Sequence, residues 1–337
     1  MDKVYCGPGP RQASIIKNVR GSTTVQQADS HTYLANFDDD WTIGTVPHGG
    51  YVTSTFQRVV KKHFETTLKK QNQPHTIALH IDFLRRTGVG PATFKVKDVK
   101  LGRQTSVVHV TLTQEDREEA VAYITNSNMT LEQGPTFATK WELAPSLPPI
   151  DLARLETGND AKWAERKAWP FEEFRKASSR VRSAFPRDGQ AAPALYDEWL
   201  AWRNPEERFT NESLGYIVDT FPQMVEYFVL DGVDIYSPDF ESKSPEEQKR
   251  LMKTDTRPNT WYPTLLLNLE MKKPLPEEGV KWLFVRCRAK VIKNGRYDLE
   301  IICMDAEGDV IAVSHHVALA VSGSRNTAAR RKASSRL

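Results

Sequence analysis

Asp219 stands early in a helix-like run among Leu214, Ile217, Val218 and Phe221. A carboxylate in such company is costly to bury unless it is paired or faces a cleft. Burial also raises its pKa, which suits a general base near neutral pH. The plainer alternative is an acid held in a first helical turn by the helix dipole. Pro222 follows three residues later and should kink or restart the helix. Upstream, His48-Gly49-Gly50 precedes a second helix-like run. Free N–H groups at a helix start can polarise a carbonyl oxygen, and glycine lets a substrate approach the backbone. A tight turn at positive φ accounts for the same glycines without a ligand. Other chemistries lack their signatures: the chain has no Gly-x-Ser-x-Gly elbow, phosphate loop or dinucleotide fingerprint, and no His/Cys cluster at metal spacing.

The elements that must position these residues come in two copies. Tyr51-Val52-Thr53-Ser54-Thr55-Phe56 is answered by Tyr216-Ile217-Val218-Asp219-Thr220-Phe221. Thr76-Ile77-Ala78-Leu79-His80 is answered by Thr264-Leu265-Leu266-Leu267-Asn268. Ser54 therefore holds the place of Asp219 in the first copy, so the repeat predicts a pseudo-symmetric pair with one working site. The first helix is expected from Gly50 to about Glu65, with Val52, Phe56, Val59, Val60 and Phe64 as its apolar stripe. Strands should follow near 76–84, 92–101, 104–115 and 119–129. The second copy should give a helix over about 212–230 and strands near 261–271, 281–292, 296–305 and 309–322. Asn294-Gly295 marks a hairpin.

Between the copies, Pro145, Pro148 and Pro149 interrupt any regular pattern. A short helix is expected at Lys162–Lys167 and a first strand of the second unit within Phe171–Phe185. The second copy carries an insertion, Asp231 to Pro258, with a short helix at Pro245–Met252; it is either a solvated excursion or a lid. The units fall at 1–135 and 171–323, with a linker at 136–170 and a basic tail at 324–337. One helix and a long antiparallel meander make an α+β unit in which the sheet wraps the helix. Two such units hide their edges by joining into one continuous sheet.

At 337 residues the chain can hold two cores, and 39% apolar with 26% charged residues is a soluble globular composition. A net charge of +3 argues against a nucleic-acid partner, and no apolar run approaches a bilayer span. The amino terminus lacks a secretory core. Cys6, Cys287 and Cys303 are odd in number and lack metal spacing, which fits free thiols in a reducing compartment. The chain ends Ser335-Arg336-Leu337 behind a basic tail, a match to the peroxisomal address that would engage an import receptor. A peroxisomal location is thus expected, with the cytoplasm as the alternative. Sheet edges and helix faces make a homo-oligomer plausible.

The run Glu198-Trp199-Leu200-Ala201-Trp202-Arg203, then Leu214-Gly215-Tyr216-Ile217-Val218-Asp219-Thr220-Phe221-Pro222, resembles the second half of the double hot-dog acyl-CoA thioesterases of the thioesterase II type. Thr264, Lys272-Lys273-Pro274 and the closing strand Ile311 to Leu319 resemble it too, while Pro47-His48-Gly49-Gly50-Tyr51 resembles the first half. That likeness implies hydrolysis of an acyl-CoA thioester with no metal or redox cofactor, because thioesters are already activated. It implies that Asp219, Thr264 and His316 orient and activate water, with imidazole at 316 where the family carries a glutamine. The helix start argued above makes His48, Gly49 and Gly50 candidate substrate-binding residues, and Lys100, Arg103, Lys272 and Lys273 are candidates for the phosphates of coenzyme A. His315, next to His316, would take its place after a one-residue register slip. A hydratase or dehydratase exploiting His316, and a non-catalytic acyl-CoA-binding protein, are the alternatives.

Overall fold

The computed structural model describes residues 19–329, apart from 170 and 253–258. Cys6 and the terminal Ser335-Arg336-Leu337 lie outside the described residues. The first half runs β1 (Thr32–Phe37), α1 (Gly49–Glu65), β2 (His75–Phe83), β3 (Gly90–Lys100), β4 (Ser106–Gln114) and β5 (Arg117–Ser127). In β4 the apolar Val108, Val110 and Leu112 are fully buried, and the intervening His109, Thr111 and Thr113 are only partly covered. That alternation presses one face of the sheet onto α1. On α1 the stripe of Val52, Phe56, Val59, Val60 and Phe64 is buried as its spacing predicts. Burying each such side chain contributes about 1.5–3 kcal/mol. Thr53, Ser54 and Gln57 are buried as well, because a second helix packs against this face.

The second half repeats the plan: β6 (Trp163–Glu165), β7 (Val181–Pro186), β8 (Leu195–Trp202), α2 (Leu214–Ile217), α3 (Val225–Val229), α4 (Pro238–Ser242), α5 (Pro245–Met252), β9 (Thr264–Met271), β10 (Trp282–Arg288), β11 (Arg296–Met304) and β12 (Val310–Leu319). One sheet of fourteen strands carries both halves, in the order β1-β3-β4-β5-β2-β9-β12-β11-β10-β8-β7-β6, with short strands at Gln26–Gln27 and Ile292–Lys293. The halves meet where β2 pairs antiparallel with β9. His80 faces Asn268 there, Nδ1 to Oδ1 at 2.6 Å. These two positions are equivalent in the repeat, so the pseudo-twofold axis passes between them. This is the α+β double hot-dog arrangement, two sheets wrapping helices and fused edge to edge.

Three expectations need correction. The helix anticipated over 212–230 is broken into a 3-10 turn at Asn211–Ser213, α2 and α3. Pro222 has no N–H to donate and its ring clashes with the carbonyl four residues back, so α2 stops at Ile217. The chain then tightens into turns, with Asp219 N–H on the Tyr216 carbonyl at 3.2 Å and Thr220 N–H on that of Ile217 at 3.1 Å. Residues 162–167 hold strand β6 rather than a helix, and within 171–185 only the stretch from Val181 onward is a strand. Finally, the insertion is not a solvated excursion throughout. Ile235, Tyr236 and Phe240 are buried, and the Glu241 carboxylate accepts from the Lys167 and Ala168 N–H groups. Cys287 and Cys303 are buried free thiols.

Candidate active site

Where the second-half helix breaks, a cavity of about 750 Å³ opens. Its walls include His48 and Gly49 from the start of α1, Asp219 to Phe221 from the turn after α2, Thr264 and Leu265 from β9, and Tyr236 from the insertion. Arg85, Arg86, Arg117 and Arg325 also line it, and Arg85 and Arg325 are solvent-exposed.

Asp219 is 7% exposed, yet its carboxylate faces this cavity. Desolvation raises its pKa to about 7. Two hydrogen bonds work against that rise: the Thr264 hydroxyl donates to Oδ1 at 3.1 Å, and the Gly50 backbone N–H offers a second. The carboxylate is therefore seated over the start of α1, where unpaired N–H groups favour negative charge. His48 caps the same helix, its Nδ1 accepting from Gly50 N–H at 3.2 Å and lying 3.8 Å from Asp219 Oδ2. Desolvation pulls the His48 pKa down to about 4, so its ring is neutral at pH 7.

His316 stands behind Asp219. It is 1% exposed, and its Nδ1 lies 3.5 Å from Asp219 Oδ1. Ser314 Oγ donates its only proton to the Asn268 carbonyl at 2.5 Å, so at 2.9 Å it can only accept from His316 Nε2. The proton therefore sits on Nε2, and the lone pair of Nδ1 points at the carboxyl group. Nδ1 is buried and has no hydrogen-bond partner. Burial, followed by the neighbouring His315 and His48, depresses the His316 pKa to about 3. His316 is thus a neutral acceptor throughout the physiological range.

The glycines have a packing role of their own. A Cβ on Gly50 would stand 2.8 Å from Asp219 Cβ, the Gly215 carbonyl and Tyr216 Cα, and one on Gly49 would stand 2.7 Å from Asp219 Oδ2. Lacking side chains, these residues let α1 and α2 touch and let Asp219 reach the helix start. Gly49 and His48 face the cavity, while Gly50 faces the packed helix pair. The contact is reciprocal: Ser54 Oγ accepts from Tyr216 N–H and Gln57 Oε1 from Gly215 N–H, both at 2.9 Å. Each half completes the other's helix start.

Of the residues singled out in the sequence, Asp219, Thr264, His316, His48, Gly49 and Gly50 converge in one place. His315 is exposed on the opposite face of β12. Lys100, Arg103, Lys272 and Lys273 are not among the cavity residues; Lys272 pairs with Glu270, and Lys273 pairs with Asp305 and Asp309. Sequence reasoning also missed Arg175, Gln223, Tyr236, Tyr262 and Tyr297, which line the cavity from five separate segments; only their polarity within apolar surroundings hinted at them. One cluster of metal-capable groups exists among the described residues, His31, His63 and Asp98. It lies near the far end of α1, roughly 20 Å from the carboxylate at 1.5 Å per helical residue. Asp98 already takes both imidazoles there, at 3.3 and 2.9 Å.

Residues 37–127 match the family model of the acyl-CoA thioesterase N-terminal domain, and residues 151–320 match that of the acyl-CoA thioesterase C-terminal domain. Thioesterase-like protein TwmA of Talaromyces wortmannii is 35% identical over 329 residues, spanning 91% of this chain and 92% of that protein. Among solved structures, a conserved hot-dog-fold protein of Alicyclobacillus acidocaldarius superposes with a TM-score of 0.65 at 16% identity, over 90% of this chain and 98% of that one. Acyl-CoA thioesterase II TesB2 of Mycobacterium marinum gives 0.55 at 16% identity, over 91% and 98%. At such identities the structural likeness speaks for the fold.

Proposed function

The chain belongs to the acyl-CoA thioesterase family, and on that premise we propose that it hydrolyses an acyl-CoA thioester with Asp219 as general base. The observation that carries this reading is a buried carboxylate with a pKa raised to about 7, set between a helix start and a threonine hydroxyl on the wall of a cavity of about 750 Å³. A group of that basicity is half ionised at neutral pH and well matched to taking a proton from water. Water attacks the thioester carbonyl carbon while Asp219 takes its proton. The tetrahedral intermediate then collapses with cleavage of the C–S bond, and the proton passes from Asp219 to the departing thiolate. Free acid and coenzyme A thiol result.

Thr264 fixes one carboxylate oxygen and leaves the other for the water. The start of α1 offers backbone N–H groups to the developing oxyanion. His316 acts through Asp219 rather than on the water: its Nδ1 lies 3.5 Å from Oδ1, the oxygen that Thr264 holds, so it is a positioning residue. Arg85 and Arg325, exposed at the cavity, supply positive charge for the phosphates of coenzyme A. Thiol release measured across a panel of acyl-CoA esters tests this reading. Asp219→Asn should retain the fold and lose about 10²- to 10⁴-fold in kcat/KM, the usual worth of a general base. Normal turnover by that variant would refute the assignment.

A further inference from the structure

Two side chains of the first half break the pattern of the elements that carry them. His63 stands on the buried stripe of α1, beside Val59, Val60 and Phe64, and is fully buried. Asp98 on β3 falls in phase with Ala92, Phe94 and Val96, which the strand turns inward onto the core. Polar groups at such positions are costly unless something there engages them. They meet each other and His31, which directly precedes β1. Local spacing hid the group, because 35 residues separate Asp98 from His63 and 67 separate it from His31.

The three residues converge as ligands do. Asp98 turns Oδ1 to His63 Nε2 at 2.9 Å and Oδ2 to His31 Nε2 at 3.3 Å, and one donor atom of each residue lies within 4.8 Å of the others. Ligands about 2.0–2.1 Å from a tetrahedral zinc ion stand about 3.3 Å apart, and two imidazoles bound through Nε2 hold their ring centres about 5.2 Å apart. The His31 and His63 ring centres are 5.1 Å apart, with the planes inclined at 63°. Each Nδ1 is held from behind by a hydroxyl at 2.8 Å, Ser30 Oγ for His31 and Tyr33 Oη for His63. A hydroxyl donates to a bare Nδ1 or accepts from a protonated one. The same frame therefore serves imidazoles that donate Nε2–H to Asp98 and imidazoles that give the Nε2 lone pair to a cation. Outer hydrogen bonds of this kind orient metal-bound histidines. The backbone is fixed as well. Asp29 Oδ1 accepts from the His31 and Thr32 N–H groups, both at 2.8 Å, and Val96 N–H donates to the His31 carbonyl at 2.8 Å. Asp29 and Asp98 bring negative charge to the surroundings of Tyr33. Desolvation lowers the His63 pKa, which favours the neutral ring that ligation requires. His31 and Asp98 stay partly open to solvent, so water can complete the shell.

We propose that His31, His63 and Asp98 bind a divalent transition-metal ion of the zinc type, with water in the fourth position. Two imidazoles and one carboxylate select such an ion over Mg2+ and Ca2+, which take oxygen ligands. The ion ties the segment before β1, the last turn of α1 and β3 into one cluster. Its role is structural, at the end of α1 remote from Asp219, and it is independent of the hydrolytic reading.

Calorimetric titration of the full chain with Zn2+, after treatment with a chelator and dialysis, provides the test. One ion per chain should bind with a Kd of about 1 μM or tighter. Zinc at about a hundredfold excess over Kd should raise the melting temperature by several degrees. His31→Ala removes a partly exposed ligand and leaves the core intact. It should weaken binding about 100-fold or more, the upper end of what even an outer contact is worth, and abolish the thermal shift. Ser30→Ala, which removes only the support behind His31, should weaken binding about tenfold. Mg2+ at the same concentration should neither bind nor move the melt. Co2+ in place of zinc should give the visible bands of a four-coordinate ion without thiolate charge transfer. Absence of stoichiometric zinc binding, equal affinity in His31→Ala, or a cobalt spectrum of thiolate character, which puts the metal on a cysteine, would overturn the proposal.

Discussion

Ser54 and Asp219 occupy equivalent turns of the two halves, and each reaches across to the start of the other's helix. In the first half every participant is fully engaged. The Ser54 hydroxyl accepts from Tyr216 N–H, and Thr76 donates to Asn126 Oδ1 at 3.3 Å. The place of His316 is taken there by Ile124, as shown by the matching registers of Leu79 with Ile124 and Leu267 with His316. Helix α1 continues for 17 residues and fills its sheet. In the second half the same strand irregularity recurs, between Thr264 and Leu266 as between Thr76 and Ala78, so the backbone frame is shared. What differs is a shortened helix and two side chains, Asp219 for Ser54 and His316 for Ile124. A capping position with a spare oxygen, next to space vacated by a helix, faces a cavity; the same position with no spare oxygen and no space is closed off.

The comparison is sharpened first by paired substitutions at the capping position. Asp219→Asn carries the largest expected effect, the loss in kcat/KM stated above, whereas Ser54→Ala should leave kcat/KM within about twofold and cost about 1 kcal/mol in denaturant unfolding, the ordinary value of one hydrogen bond. Equal kinetic losses at both sites would break the asymmetry. Asp219→Asn has a second signature. The folded-state pKa of about 7 lies above the ordinary aspartate value of 3.8, so ionisation weakens the native state as pH rises between those limits. The variant should therefore melt higher than the wild type at pH 8 and at the same temperature at pH 3.

Next in size is the threonine pair. Thr264→Val removes a donor that holds the Asp219 pKa down, and it should lower kcat/KM about tenfold while moving the ascending limb of the pH profile upward. Thr76→Val should change only stability. The smallest effect is expected at His316. Wild-type kcat/KM should rise as pH passes through about 7, with no opposing limb from His316 or His48, whose pKa values are depressed to about 3 and about 4. His316→Gln can present an amide donor to Asp219 in place of a lone pair, which favours the carboxylate. The ascending limb should then shift toward lower pH, with the plateau rate changed only a few-fold. An unchanged limb would show that the imidazole lone pair does not bias the acid.

Much of this was legible because a repeat carries its own alignment. The offset between Tyr51 and Tyr216 located Ser54 opposite Asp219, and strand alternation was enough to bury one of His315 and His316. Pro222 announced a disturbance, but not that the helix would end and leave a cavity. Strand β8 was hard to read because all eight of its residues are buried, Asp197 and Glu198 included. Asp197 is matched by Arg286 at 2.6 and 2.7 Å, a pairing across 89 residues that no local pattern contains. Desolvation pushes Glu198 well above the usual carboxylate range. The polar side chains of the cavity escaped notice for the same reason: Arg175, Tyr236 and Tyr262 meet only in three dimensions. Lys272 and Lys273 looked like phosphate ligands because a sequence does not show which carboxylates already claim a cation.

The mutual completion of the helix starts has a consequence for how the protein was assembled and how it comes apart. Ser54 and Gln57 belong to one half and serve the other, and Asp219 returns the service to Gly50. Cutting the polypeptide between the repeats would leave two fragments, each with an open sheet margin along β2 or β9 and an unfinished helix. Neither fragment is a self-sufficient ancestor of the whole.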